Sequence, residues 1–145
     1  VSINDGSSGQ ASAIYVGGGA RFHGIEVSGN RAYAAAGSGA LVEIDGGYTH
    51  YSHVHFHSNL FVSAARKLLL DALDPNDGSD VSFGHDRWLT CGGPLHVRWG
   101  TTLFGSLGAW REATGMERRG ARARPSGRIC SVEWWRASSS ASARH

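Results

Sequence analysis

A long-period internal repeat is the feature that most constrains how this chain can fold. Hydrophobic residues and one asparagine recur at an interval of 29 positions. The matched pairs are Phe22 and Tyr51, Ile25 and Val54, Val27 and Phe56, and Asn30 and Asn59. Two upstream pairs, Ile14 with Val42 and Val16 with Ile44, stand one position closer together, so one residue is gained at the turn between them. Repetition with a period in the range of about 20–50 residues predicts stacked, equivalent units.

Each copy contains two short runs in which hydrophobic and polar residues alternate, at 14–16 and 22–27 and again at 42–44 and 51–56. Alternation with period two predicts strands with one buried face. The chain has 21 glycines in 145 residues, about twice the usual ~7%, and several of them separate these runs. Strands this short do not suit a hairpin meander. They favour an all-β, right-handed parallel β-helix of about two coils, in which each strand pairs with its equivalent one coil along.

Two short motifs connect these coils to a known family. Phe56-His57-Ser58-Asn59 fits F-x-x-N, and Val27-Ser28-Gly29-Asn30 fits it with Val for Phe. Gly37-Ser38-Gly39-Ala40-Leu41 is similar to G-G-A-[ILV], and residues 9–14 match that motif loosely. Over residues 9–62 the chain therefore resembles the polymorphic outer-membrane protein repeats and, more widely, the pectin-lyase-like β-helices. The resemblance implies an extracellular or cell-surface location.

The β-helix interpretation also places the polar residues. Glu26 should lie beside His55, and Ser28 beside His57, on the outward face. Asn30 and Asn59 should form structural corners, where Asn tolerates left-handed backbone and can bond to its equivalent in the next coil.

Beyond Asn59 no third G-G-A-[ILV] follows, and we expect the repeat to stop. The sequence divides into β-helix coils at 1–62, a short capping helix and turn at 63–80, irregular structure or short strands at 81–110, and an Arg/Ser/Ala-rich, disordered segment at 111–145. The helix is expected over 64–73, with Ser63 as its N-cap. The composition of the last segment also resembles GC-rich DNA read out of frame. Since the chain begins with Val1 and not with Met, we expect a fragment or a processed product.

Charge and cysteine content exclude little. Residues 1–60 carry a net charge of −2, whereas the segment from Arg111 onward carries +5. Arg122, Arg124 and Arg128 follow no strand or helix pattern and have no interleaved aromatic residues, so specific nucleic-acid binding is not expected. Cys91 and Cys130 can form one disulfide or none. No run approaches the ~18 apolar residues of a membrane span, so we expect no transmembrane segment.

The histidines between His50 and His57 are the sharpest candidate for chemistry. On one strand, His53, His55 and His57 would point to the same side, and Glu26 from the neighbouring coil could complete a zinc or copper site. The alternative is that an outward strand face simply carries polar residues, which is the more common situation. Residues 74–80 similarly suggest either a calcium loop or a solvated Asx turn, and the turn is favoured.

Three functions remain open. The preferred one is a non-catalytic surface protein with an adhesive or structural role, without catalytic residues or a resident cofactor, whose ligand is a polysaccharide or another cell-surface molecule. The second is a carbohydrate-active β-helix, a polysaccharide lyase or hydrolase. However, two coils give a groove of only ~10 Å, and the outward face lacks clustered acidic groups. The third is a metal-binding module through the histidine strand.

Overall fold

The computed structural model of the chain consists mainly of short β-strands. It describes residues 2–4, 12–17, 21–34, 40–45, 50–63, 68–73, 80–91, 93, 96–117, 121–122 and 127–131. The strands of the first half are β1 Ser2–Asn4, β2 Ile14–Val16, β3 Arg21–His23, β4 Glu26–Ser28, β5 Arg31–Ala34, β6 Val42–Asp45, β7 His50–Ser52, β8 Val54–His57 and β9 Leu60–Ser63. Those of the second half are β10 Leu68–Leu73, β11 Val81–Gly84, β12 Arg87–Thr90, β13 His96–Trp99, β14 Thr102–Phe104 and β15 Ala121–Arg122. An α-helix, α1, spans Leu107–Thr114, and a 3-10 turn spans Gly127–Cys130.

The strands form four small sheets, and the predicted all-β class is confirmed. Their orders are β1-β5-β9-β12-β15, β14-β13-β10-β6-β2, β11-β8-β4 and β3-β7. Neighbouring strands are parallel, except that β14 is antiparallel to β13. Because parallel neighbours cannot be joined by a tight hairpin, the parallel pairs join distant segments of the chain, whereas β13 and β14 are consecutive.

The strand register predicted from the repeat is confirmed. Ile14 lies opposite Val42, Phe22 opposite Tyr51 and Val27 opposite Phe56. The same register places Glu26 opposite His55 and Ser28 opposite His57. A shift of one residue would have turned the hydrophobic side chains outward, so the alternation is sufficient to fix the pairing.

The expectation that the repeat ends after Asn59 is wrong. Strand β11 pairs in parallel with β8 and places Phe83 opposite Phe56, and β12 pairs in parallel with β9 and places Trp88 opposite Phe61. The hydrophobic alternation is retained in this third copy, but its spacing is shorter by two positions and Asp86 stands where the earlier copies have Asn. These two changes hide the copy from a search for F-x-x-N.

The helix expected at 64–73 is wrong over its described part, because Leu68–Leu73 is strand β10. This strand lies between β6 and β13 and pairs with both, and its Leu70 and Ala72 are fully buried. Tertiary pairing here overrides the intrinsic helix preference of a Leu-rich segment.

The α-helix lies further along the chain. Ser106 is its N-cap and accepts a hydrogen bond from the backbone N–H of Ala109, and Gly115 ends it in left-handed backbone with φ 71°. Neither described helical segment has the length or the apolar character to cross a membrane.

Part of the segment expected to be disordered is ordered in this structure. Helix α1 continues to Thr114, Glu117 is fully buried, and β15 pairs with β12. A disulfide joins Cys91 and Cys130. The structured parts were missed because they carry no regular hydrophobic period.

Aromatic side chains from successive copies stack in the interior. The ring centroids of Phe56 and Phe83 are 4.6 Å apart, and those of Phe61 and Trp88 are also 4.6 Å apart. Trp110 of α1 covers the end of this stack, with its ring 5.5 Å from Phe83 and 5.9 Å from Trp88. Large aromatic rings therefore fill the core where the helix closes it.

We expect Phe56→Ala to destabilise the protein by about 3–5 kcal/mol, the usual cost of truncating a buried Phe. Phe56 is 1% exposed and stacks on Phe83. Chemical denaturation gives the free energy of unfolding. The control is Leu103→Ala, because Leu103 is 60% exposed and the change should cost less than about 0.5 kcal/mol. Equal losses for both variants would contradict this packing.

Candidate functional site

Three successive copies make the same backbone corner between two strands. The residue before each corner polar residue has left-handed backbone, with φ 64° at Gly29, 58° at Ser58 and 63° at His85. Left-handed backbone is strained for residues other than Gly, so the last two corners need compensating contacts. The side chains that follow these residues supply such contacts.

The corner side chains form one hydrogen-bonded series, which we name the corner ladder: Asn30, Asn59, Asp86 and Glu117. The backbone N–H of Asn30 donates to Oδ1 of Asn59 at 2.9 Å. The backbone N–H of Asn59 donates to Oδ1 of Asp86 at 2.8 Å. The backbone N–H of Asp86 donates to Oε1 of Glu117 at 2.9 Å. Each corner amide is thus satisfied by the side chain of the next member of the ladder.

Additional bonds hold the ladder in place. Nδ2 of Asn59 donates to the carbonyl oxygen of Val27 at 2.8 Å and to Oδ1 of Asp86 at 2.9 Å. The indole Nε1–H of Trp88 donates to Oε2 of Glu117 at 3.0 Å. Asn59 is 1% exposed, and Asp86 and Glu117 are fully buried. Asn30 bonds to Asn59 of the next copy, whereas the left-handed backbone expected of the asparagines is found at Gly29 and Ser58 instead.

The two buried acids of the ladder bind protons more tightly than usual. Burial raises the pKa of Glu117 to about 7, the Trp88 hydrogen bond opposes this, and the neighbouring Asp86 raises it further. Burial also raises the pKa of Asp86, against the hydrogen bonds from Asn59. Two neighbouring buried carboxyls that act on one another electrostatically cannot easily both ionise, so one proton is favoured on the pair.

The second candidate is the exposed face of the sheet β11-β8-β4. Nε2 of His57 lies 3.0 Å from Oε1 of Glu26, and the hydroxyl of Ser28 donates to the same oxygen. These hydrogen bonds, that from Ser28 first, lower the pKa of Glu26. Nδ1 of His55 lies 2.6 Å from the hydroxyl of Ser82. The exposed polar residues of this face therefore bond to one another.

The structure separates His53 from the other predicted metal ligands. His53 has φ 57° and lies at the corner between β7 and β8, so it does not share a strand face with His55 and His57. Its ring is 4.9 Å from that of His23. The expectation that all three histidines point to one side is therefore wrong, since it assumed an unbroken strand.

Of the four predicted ligands, the structure brings Glu26 and His57 into contact. Within the described ranges, no group of three or more His, Cys, Asp or Glu side chains is arranged to hold a metal ion. Most of the suggested calcium loop, residues 74–79, lies outside the described residues.

The third candidate is a row of outward residues on the sheet that contains β2, β6, β10 and β13. Tyr15 lies opposite Glu43, Glu43 opposite Asp71, and Asp71 opposite Arg98. We name these four residues the outward row. Arg98 donates through Nε to Oδ1 of Asp71 at 2.6 Å and through Nη2 to Oδ2. This contact raises the pKa of Arg98, and Ser12 donates to Glu43.

The sequence did not indicate the acidic part of the ladder or the outward row. A search for F-x-x-D in the copy that follows F-x-x-N would have identified Asp86. Glu117 follows a helix and has no counterpart in the motif. The outward row depends on β10, which lies between β6 and β13 and whose Leu-rich sequence shows no clear alternation.

We expect Asn59→Ala to lower the free energy of unfolding by about 2–4 kcal/mol, because it leaves the Asn30 N–H and the Val27 carbonyl without their partner in a buried corner. Thermal or urea unfolding measures this. Asn30→Ala is the matched control: Asn30 is half-buried, its side chain donates to Ser28 and Asn59, and about 1 kcal/mol is expected. A larger loss for Asn30→Ala would refute the ladder.

We also expect no stoichiometric zinc or copper to remain after dialysis, because His55 and His57 already bond to Ser82 and Glu26. Metal analysis of the dialysed protein checks this. One retained equivalent that is lost in His57→Ala, but kept in the control His96→Ala, would establish the metal site instead.

Comparison with known proteins gives no relative. No protein-family model matches the chain, and no curated protein or solved structure matches it either. The functional interpretation depends on the residues and contacts described above.

Proposed function

We propose that this chain is a section of a right-handed parallel β-helix that serves as a non-catalytic surface or extracellular scaffold with an adhesive or structural role. The observation that carries the proposal is the corner ladder together with the parallel sheets it joins. Strands of successive copies pair in parallel, and the corners between them are bonded in series. The strong preference of parallel crossover connections for the right hand supports the handedness.

The burial of the ladder supports a structural rather than a catalytic role for its acids. A glycosidase also uses two neighbouring carboxyl groups, of which the one that acts as the acid has a raised pKa. Asp86 and Glu117, however, are fully buried, and the structure uses their oxygens to bind backbone and indole N–H groups. Their arrangement serves to satisfy corner amides.

The disulfide supports an extracellular or cell-surface location. Cys91 follows β12, and Cys130 ends the 3-10 turn. Disulfides persist in oxidising environments and are rare in reducing ones. The bond links the end of the third copy to the C-terminal segment, which stabilises the stack where it is least repetitive.

A second function, a carbohydrate-active surface, is favoured by the outward row. Two carboxylates and a guanidinium lie on neighbouring strands, and Tyr15 beside them is 51% exposed. Hydroxyl groups of a saccharide could donate to the carboxylates, and an exposed aromatic ring offers an apolar surface. Against catalysis, Asp71 is paired by both of its oxygens with Arg98, and its side chain is 11% exposed. Binding is therefore favoured over bond cleavage.

We expect the chain to bind a polysaccharide through the outward row without shortening it. Because carboxylates repel polyanions, a neutral insoluble glucan should co-sediment with the protein, and Tyr15→Ala should weaken this binding while the exposed-site control Leu103→Ala keeps it. Polygalacturonate and alginate should keep their size on gel filtration and gain no unsaturated or reducing ends.

Turnover of either polymer that is abolished by Glu43→Gln or Asp71→Asn would establish the carbohydrate-active function and overturn the scaffold proposal. Absence of co-sedimentation with the neutral glucan would contradict a polysaccharide ligand. A far-ultraviolet circular dichroism spectrum dominated by α-helix would contradict the proposed β-helix.

A further inference from the structure

The last member of the corner ladder also holds the segment that closes the aromatic core. We name α1 together with residues 115–117 the end cap. Its Trp110 covers Phe83 and Trp88. Glu117 bonds to the third copy. Its backbone N–H donates to the carbonyl oxygen of Phe83 at 2.9 Å. Its carboxyl accepts from the backbone N–H of Asp86 and from the indole N–H of Trp88. One buried carboxyl thus accepts two of the hydrogen bonds that join the end cap to the third copy.

That carboxyl lies against a second one. Oδ1 of Asp86 accepts from Asn59, whereas Oδ2 is buried and has no hydrogen-bond partner among the described residues. If both acids were ionised, Oδ2 and the Glu117 carboxylate would share a site from which water is excluded. Such an arrangement is costly without a counter-ion.

Basic residues lie on the described elements around the pair. They are His57 on β8, His85 at the corner, Arg87 on β12, Arg111 on α1 and Arg122 on β15. His57 acts on Asp86 through its charge, but its Nε2 is bonded to Glu26 on the outer face. His85 and Arg87 are exposed, and Arg111 has an interaction of its own. A proton on the pair removes one of its two negative charges, which limits the cost of burying both acids.

We propose that Asp86 and Glu117 act as a proton-dependent latch, in which one proton on the pair keeps the end cap closed and its loss releases Glu117 and uncovers Trp88 and Trp110. The latch is independent of the ligand that the exposed faces bind. It predicts a local opening of the end cap, while the sheets β11-β8-β4 and β3-β7 keep their pairing.

The direction of the pH effect follows from linkage. The pKa of Glu117 is about 7 when the cap is closed and near its ordinary value of 4.5 when the carboxyl is in water, so the closed form binds more protons. The closed cap has its full stability below the ordinary pKa of 4.5 and loses it as the pH rises from there through the raised pKa of about 7. Between about pH 5 and pH 8 the closing equilibrium should weaken by up to about 100-fold.

Two measurements on the full chain test the latch. Carbon-detected NMR of the Glu117 carboxyl should report a titration near neutral pH. Quenching of tryptophan fluorescence by acrylamide should increase over the same range as the buried indoles become accessible. Hydrogen exchange should accelerate in residues 107–117 and not in β8.

The variants identify the groups responsible. Glu117→Gln cannot ionise, so the pH dependence of quenching should disappear whether the cap is closed or open. Asp86→Asn keeps an oxygen for Asn59 and offers an N–H to Glu117, so the carboxyl titration should move to lower pH and the opening should be suppressed. His57→Gln is the control and should keep the transition.

Three results would overturn the latch. The first is a flat quenching profile in the wild-type chain across this range. The second is an unchanged transition in both Glu117→Gln and Asp86→Asn. The third is a transition lost in His57→Gln but kept in Glu117→Gln, which would assign the proton to the histidine. If Glu117→Gln does not fold, the carboxyl titration of Asp86→Asn decides between these outcomes.

Discussion

The rest of the structure depends on a single hydrogen bond that is repeated along the stack, from a backbone N–H at a corner to a side-chain oxygen of the next member of the ladder. Strand ladders satisfy the amides of the flat parts, but at a corner the chain turns away from its neighbour. An amide left unsatisfied in this buried position would cost about 1–3 kcal/mol. Asn59 and Asp86 supply the missing acceptors, so the corners and the sheets between them keep a common register.

The chemistry of the ladder changes along the stack. An Asn side chain can accept from one corner and donate elsewhere, so Asn59 bonds to Asn30, Val27 and Asp86. Both oxygens of the Glu117 carboxyl accept, from the backbone N–H of Asp86 and the indole N–H of Trp88, which suits the end of the series. The carboxyl that ends the ladder also carries the cost of burial, which is why the proposed latch lies at the closure of the core.

The sequence was sufficient to predict the register of the first two copies, because Ile14/Val42 and Val27/Phe56 fix which face is buried. It was insufficient beyond Asn59 for physical reasons. An Asp oxygen accepts the corner N–H as well as an Asn oxygen does. The third copy therefore has F-x-x-D in place of F-x-x-N and keeps the hydrogen bond. Leu68–Leu73 has a helix-like composition, yet it is a strand because β6 and β13 pair on either side. The outward row could not be predicted, since it requires the register of these same strands.

The candidate sites differ more in how exposed their residues are to solvent than in the pKa of their carboxyl groups. Perturbed carboxyl groups usually indicate a functional site, and by that criterion Asp86 and Glu117 are the strongest pair in the described chain. Both are fully buried, so a substrate cannot reach them and their altered proton affinity acts on the fold. The outward row is the reverse case, because Tyr15 is exposed whereas Asp71 is largely buried and already paired with Arg98. A surface with an exposed Tyr15 beside a paired carboxylate suits reversible binding better than bond cleavage, and a stack of short strands presents such a surface without needing to move.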